Sequence, residues 1–410
     1  MSETTHRHQL ADLEERVLSE IREDEVVAFH RAIVQAPSVN PPGDVREAHA
    51  VALEKTREAG FDARSVGDLE EMPNLVATYG DLNGPTLCFN SHLDVVPIGE
   101  RSAWRHDPWG AEIDGGRIYG RGAGDAKASV AAQVMAGVAV ARSGIPLKGN
   151  LVVNEVADEE VGGVHGAGLM VRERYFTPDW VIIGEQTRNQ VAVGEKGSAG
   201  TEVVVHGRTA HGALPWEGAN AIEAMAEIIV ALRRELWPRL AERTHPFFHP
   251  SSASINMMEG GVKANVVPDR ASFYIDRRLV PDENPEECVA EIDRIARAAV
   301  DGMPGIRVEV RPAYPGNWSR PVPVEDPLVQ AMIGANARLG LSTEPTGFSM
   351  ATDGRFFAKA GFPTIIYGPG DPSTAHIPDE WVGIDEIMEA TRAYAIAAVR
   401  LIGAYDDVVE

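Results

Sequence analysis

Four short apolar runs constrain this chain more than any other feature: Thr86-Leu87-Cys88-Phe89, Leu151-Val152-Val153, Val181-Ile182-Ile183 and Thr364-Ile365-Ile366-Tyr367. Continuous apolar runs bounded by glycine and polar residues suit parallel strands buried on both faces, whereas a strand with one wet face would alternate. They predict an open α/β sheet, in which ligands bind beyond the carboxyl ends of the strands. Each run is followed by acids or a histidine: His92-Leu93-Asp94, Asp158-Glu159-Glu160, Glu185, and a loop carrying His376. Imidazole and carboxylate brought to one sheet edge form a donor set suited to zinc, cobalt or manganese.

The rest of the chain sorts around that sheet. A length of 410 residues is long for one core and suggests two domains. Helical patterns over about 23–36 and 45–60 precede strands near 74–79 and 86–91. An alanine-rich helix then runs from about Ala126 to Ser143, before strands at 151–156 and 181–184. That alternation predicts an α/β layer fold. Near Gly197 the pattern changes to a strand at 201–206, a helix from Asn220 to Leu236, and strands at about 251–258 and 270–279. A helix near 285–301 and a strand near 305–310 follow. The order β-α-β-β-α-β is that of a ferredoxin-like unit, whose open sheet edges a second subunit could cover. A helix near 327–339, the run at 364–367 and a helix near 385–403 then restore the first pattern. The division expected is 1–196 and 314–410 for a discontinuous metal-binding domain, with 197–313 inserted.

A net charge of −23 argues against a nucleic-acid partner, which would need a basic face. No stretch reaches the roughly 18 apolar residues of a membrane span, and the charged segment Met1–Asp24 lacks the apolar core of a signal peptide. Leu10, Leu13, Val17 and Ile21 recur there at helical spacing and predict an amphipathic helix. With only Cys88 and Cys288, a disulfide framework is not expected, and a reducing cytoplasm is the default compartment.

Each candidate site residue has a plainer alternative. His92 and Asp94, two apart at a strand end, face the same way, so Asp94 could accept the second N–H of a metal-bound His92. They could equally be a surface pair. Gly120-Arg121-Gly122-Ala123-Gly124-Asp125 lacks the spacing of a nucleotide loop. Its glycines could let the backbone bend so that Asp125 enters the site, or Asp125 could simply cap the helix. Asp158-Glu159-Glu160 could be a solvated turn, or Glu160 could bind metal while Glu159 takes a proton from water. His245 and His249 flank Pro246-Phe247-Phe248 and read as loop residues. Charge favours two ions over one. Asp125, Glu160 and Glu185 carry −3 against +4, and the residual +1 favours bound hydroxide. Neither H-E-x-x-H nor G-x-S-x-G occurs.

Taken in order, these segments resemble the acetylornithine deacetylase, succinyl-diaminopimelate desuccinylase and aminoacylase family of co-catalytic zinc amidohydrolases, over nearly the whole chain. The resemblance rests on Ser91-His92-Leu93-Asp94-Val95-Val96-Pro97, Tyr119–Lys127, Asp158-Glu159-Glu160, Gly184-Glu185 and Ala375-His376. It implies a zinc-exopeptidase-like catalytic domain with an inserted dimerisation domain, and a homodimer. It also implies that Asp125 bridges two ions, with His92 and Glu185 on one and Glu160 and His376 on the other. Glu159 would be the general base, and Asp94 would orient His92. In the inserted domain His211, within Gly207-Arg208-Thr209-Ala210-His211, would steady an oxyanion in the partner's site. Asn265 and Arg278 would grip a substrate carboxylate, for which the arginine fork is suited. Both could instead be structural, as a turn cap and a salt bridge. Thr352-Asp353-Gly354-Arg355 is similar to the desuccinylase and deacetylase branch, which implies that Arg355 would be a further substrate contact. Ala126, Gln186 and Gly212-Ala213 depart from the family pattern and weaken the assignment of a standard substrate.

The function expected is metal-dependent hydrolysis of an amide-type C–N bond in a small, carboxylate-bearing molecule, by hydroxide held between the ions with Glu159 as base. The alternatives are another C–N bond (carbamoyl, formyl or aryl-amine), a dipeptidase or exopeptidase, and a silent metal-binding protein.

Overall fold

The structure, a computed structural model, describes residues 3–404. It forms two compact units. The first comprises the residues up to Gly194, Pro321–Phe348 and those from Thr352 on; the second comprises Glu195–Arg320 with Ser349–Ala351.

The first unit is built on an eight-stranded sheet. Its order is Asp62–Val66, Asn74–Gly80, Asn150–Val156, Thr86–His92, Trp180–Gly184, Thr364–Tyr367, Ala192–Glu195, Thr346–Phe348. The four apolar runs are neighbours at its centre, and all three pairings among them are parallel. Pairing turns antiparallel on both sides, from Asn150–Val156 outward and from Thr364–Tyr367 to Ala192–Glu195. The central strands are buried along nearly their whole length because helices cover both faces. On one face lies the helix Lys127–Ser143, buried on nearly every side. Its small residues permit close approach, and Gly137 sits where a Cβ would stand 3.2 Å from Val153. The helix Ile384–Ile402 joins it, with the Tyr394 ring tilted against that of Phe89, centroids 5.0 Å apart. On the other face Cys88, Val152, Val181 and Ile366 pack with Leu169, Met170 and Phe357 from the short helices Ala167–Glu173 and Gly354–Ala360.

The amino-terminal helix spans Glu3–Leu18, so Ile21 falls beyond its end, and Val17 on it is fully buried. No helix among the described residues is long and apolar enough to cross a membrane.

In the second unit four strands pair in the order Ser252–Gly260, Arg270–Leu279, Thr201–His206, Arg307–Pro312, all antiparallel. This is the strand order of a ferredoxin-like unit. The helices Ala221–Glu235 and Pro285–Ala299 cover one face, packing Met225, Ile228, Leu232, Ile292 and Ile295 against Val203, Val205, Phe273 and Ile275. Both helices start on an asparagine cap: Asn220 accepts from the amides of Ile222 and Glu223, and Asn284 from that of Glu286. Ser252–Gly260 is an edge strand and leaves Met257 and Met258 exposed.

Candidate metal centre

His92 ends its strand almost fully buried. Its Nδ1 lies 2.9 Å from the backbone oxygen of Asp94. A carbonyl can only accept, so Nδ1 carries the proton and the Nε2 lone pair is free. That Nε2 faces Asp125 Oδ1 at 3.3 Å and Glu185 Oε1 at 3.5 Å. Glu185 follows the adjacent parallel strand, Trp180–Gly184. Asp125 ends the glycine turn before the helix Lys127–Ser143. Gly122 has φ +77°, and a Cβ there would stand 2.4 Å from Val95, so only glycine fits. The N-cap of the helix is Ala126, with no side-chain cap, so Asp125 is free of that duty.

The other oxygen of Asp125 belongs to a second cluster. His376 Nε2 lies 3.1 Å from Asp125 Oδ2 and 3.3 Å from Glu160 Oε2. Both groups of three, His92–Asp125–Glu185 and Asp125–Glu160–His376, keep their donor atoms within 4.8 Å of one another. Donors bonded tetrahedrally to one ion at about 2.0–2.1 Å stand roughly 3.3–3.4 Å apart, which matches these separations. Glu160 Oε1 is buried with no hydrogen-bond partner. The residues therefore fit two ions sharing one carboxylate.

The electrostatics agree. Burial opposes charge on Asp125, yet the His376 and His92 imidazoles, when protonated, hold its carboxyl well below the usual range. Burial pushes Glu185 and Glu159 well above theirs, against the pull of His92. Asp125 and Glu160 push His376 up to about 10. So many buried acids attract positive charge, whether protons or cations. Two loops here hold non-glycine residues in the left-handed region, Asp158 at φ +75° and His376 at φ +63°. Such conformations cost roughly 1–3 kcal/mol each and gather at functional sites.

Asp94 differs in detail from the expectation. Its backbone carbonyl, not its carboxylate, holds His92; Asp94 Oδ1 is 3.7 Å from Nδ1. The carboxylate instead accepts from the amides of Glu159 and Glu160, both at 3.2 Å, and from Asn40 at 2.9 Å. Asp94 thus ties the His92 strand to the Glu159-Glu160 turn. Arg355 lies beside Glu159, Nη1 to Oε1 4.0 Å, with its Nη2 3.9 Å from Asp353.

The remaining candidates lie in the second unit. His211 pairs with Val266 in a small two-stranded ribbon, and beside it the Gly212 amide donates to the Asn265 carbonyl at 2.8 Å. Arg278 is held by Asp276 through two contacts, Nε to Oδ1 at 3.0 Å and Nη2 to Oδ2 at 3.1 Å, the salt bridge weighed as its alternative.

Sequence reasoning passed over two buried groups. Asp353 has neither carboxylate oxygen hydrogen-bonded, and burial raises it to about 7 despite Arg355. Lys127 donates to the Ala36 carbonyl at 2.8 Å, and burial lowers it to about 7. Lys127 adjoins the Asp125 turn in sequence and Asp353 is two residues from Arg355, so proximity to a motif was the available signal.

The geometry has counterparts in known proteins. Residues 88–400 match the model of peptidase family M20/M25/M40. A succinyl-diaminopimelate desuccinylase of Caulobacter sp. (strain K31) is 32% identical over 391 residues, covering 92% of this chain and 96% of that protein. The desuccinylase of Phenylobacterium zucineum (strain HLK1) is 28% identical, covering 92% and 98%. Among solved structures, the aminopeptidase PepT of Bacillus cereus superposes with a TM-score of 0.76 at 23% identity, covering 93% of this chain and 99% of that one. Human carnosine dipeptidase 1 superposes at 0.70 with 20% identity, covering 95% and 98%. At those identities the structures speak for the fold alone, but the family match spans most of the sequence: the chain belongs to peptidase family M20/M25/M40.

Proposed function

We propose that this chain is a two-metal hydrolase cleaving the amide bond of a small N-acyl amino acid whose acyl group itself ends in a carboxylate, as succinyl does. The observation that carries the reading is Asp125, whose two oxygens each face a different histidine. When bound, two divalent ions, with zinc first and cobalt or manganese also suited to these donors, supply Lewis acidity at the carbonyl and lower the pKa of water.

The chain's own residues do the rest. Glu159 accepts the proton of the attacking water and returns it to the leaving nitrogen. Asp94 fixes the Glu159 amide and so the start of that side chain. Arg355, alongside, offers a substrate contact. His211 steadies the developing oxyanion, and Asn265 and Arg278 bind the substrate carboxylate, Arg278 exchanging or sharing Asp276 as it does so.

The second unit serves as the dimerisation domain, inserted in a catalytic domain formed by the segments on either side. The exposed edge strand Ser252–Gly260, with Met257 and Met258 unburied, favours pairing with a second copy. Both cysteines are free and buried, in keeping with a reducing cytoplasm.

A panel tests the reading: N-succinyl and N-acetyl amino acids, dipeptides, and carbamoyl and formyl derivatives, each with metal-reconstituted and chelator-treated protein. N-succinyl amino acids should be hydrolysed fastest, ahead of their N-acetyl counterparts, and only by the reconstituted protein. Preferential release of amino acids from dipeptides would replace the deacylase by a peptidase.

A further inference from the structure

The loop bearing His376 continues into two adjacent acids that reach back toward the Asp125 turn. Asp379 Oδ1 accepts from the amides of Arg105 at 2.8 Å and His106 at 3.1 Å. Glu380, fully buried, accepts with Oε1 from the amides of Gly124 at 3.0 Å and Asp125 at 2.9 Å. Its other oxygen accepts from Arg121 Nη1, and Arg121 also reaches the Pro97 carbonyl and lies over the Trp104 ring. The Glu380 carbonyl accepts from the Gly120 amide at 3.0 Å, and the next residues, Trp381–Gly383, pair with Arg117–Tyr119. One side chain therefore fixes the backbone of the shared aspartate and lies four residues from a histidine facing it.

We propose that Glu380 is a positioning residue for the ion held by Asp125, Glu160 and His376. The two clusters depend on it unequally. His92 and Glu185 stand at the ends of central strands, and His92 has its own internal hydrogen bond. The His376 side chain is 52% exposed and sits on a loop, so its distance from Asp125 relies on what ties that loop to the turn. Only a carboxylate can serve here. Three donors converge on two oxygens, and a carboxylate offers acceptors alone, whereas a glutamine would turn its NH2 either on Arg121 or on the two amides. This inference rests on the two-ion reading given above.

The test is cobalt titration of chelator-stripped protein, following visible absorption and competition with a chelator. The parent should bind two Co²⁺ tightly. Glu380→Gln should keep one site near parent affinity and weaken the other by about 10–100-fold, the usual cost of losing a group that orients a ligand. Adding Arg121→Met removes the donor that the glutamine would oppose, so its oxygen can again face the two amides. The double variant should recover the second site to within about ten-fold, and it carries the same test should the single variant fail to fold. Two sites of parent affinity in Glu380→Gln would overturn the role of Glu380 alone, as would a double variant that folds but holds only one ion. A parent that binds fewer than two ions would instead remove the two-ion reading, and this proposal with it.

Discussion

His92 and His376 face opposite oxygens of one aspartate, yet the chain builds them in different ways. His92 ends a central strand, its side chain 3% exposed, with its tautomer set by the Asp94 carbonyl two residues on. His376 stands on a loop at positive φ, its side chain 52% exposed, in a segment held by side chains distant in sequence. A strand end is placed by the whole core, whereas a loop residue is placed by a few specific bonds. The His92 pocket should therefore be stiff and tolerant of remote change, and the His376 pocket adjustable and easily lost.

The largest effect expected is one that abolishes the contrast. Asp125→Asn weakens both pockets, so metal analysis should find no tightly held ion, and turnover should fall by at least about 10⁴-fold. Glu159→Gln acts on the chemistry alone: kcat should drop about 10²–10⁴-fold while both ions stay bound. A variant active within a few-fold of the parent would exclude Glu159 as the base.

Replacing each histidine separates the pockets directly. Each alanine variant should retain one ion, but the stripped proteins should differ in urea unfolding. His92→Ala empties a buried position and should cost roughly 1–3 kcal/mol, while the half-exposed His376→Ala should stay within about 0.5 kcal/mol. Equal costs would erase the proposed difference in rigidity.

A separate effect, confined to low pH, concerns the support beneath the Asp125 turn. His30, buried on the helix Glu23–Val34, makes a 2.9 Å hydrogen bond to the Ala123 carbonyl, and burial holds it down at about 4, against an ordinary 6.5. As pH falls the unfolded chain takes up this proton first, so its share of stability is complete above pH 6.5 and is lost on the way to pH 4. The slope is about 1.4 kcal/mol per pH unit at most. Urea midpoints measured across that range should flatten in His30→Gln.

The same contrast governs what can be read from sequence. The central strands and the donors at their ends are legible because full burial imposes continuous apolar runs and the next residues must emerge at the edge. The second unit is legible for a similar reason, its helices keeping one apolar stripe each. The outer strands Asp62–Val66 and Ala192–Glu195 are less so. The former is mostly exposed, and the latter is too short for a pattern. Contacts set by tertiary approach leave no local trace at all. That Asp94 grips the Glu159-Glu160 turn and that Glu380 reaches the Asp125 amide both depend on which loops meet.

Anomalous diffraction at the zinc edge, from crystals of zinc-loaded protein, tests the shared carboxylate most directly. The expected map has two peaks about 3.5–4 Å apart, one bonded to each oxygen of Asp125, with His92 and His376 on opposite ions. A map with no peak, or with a single peak, within bonding distance of Asp125 would contradict it.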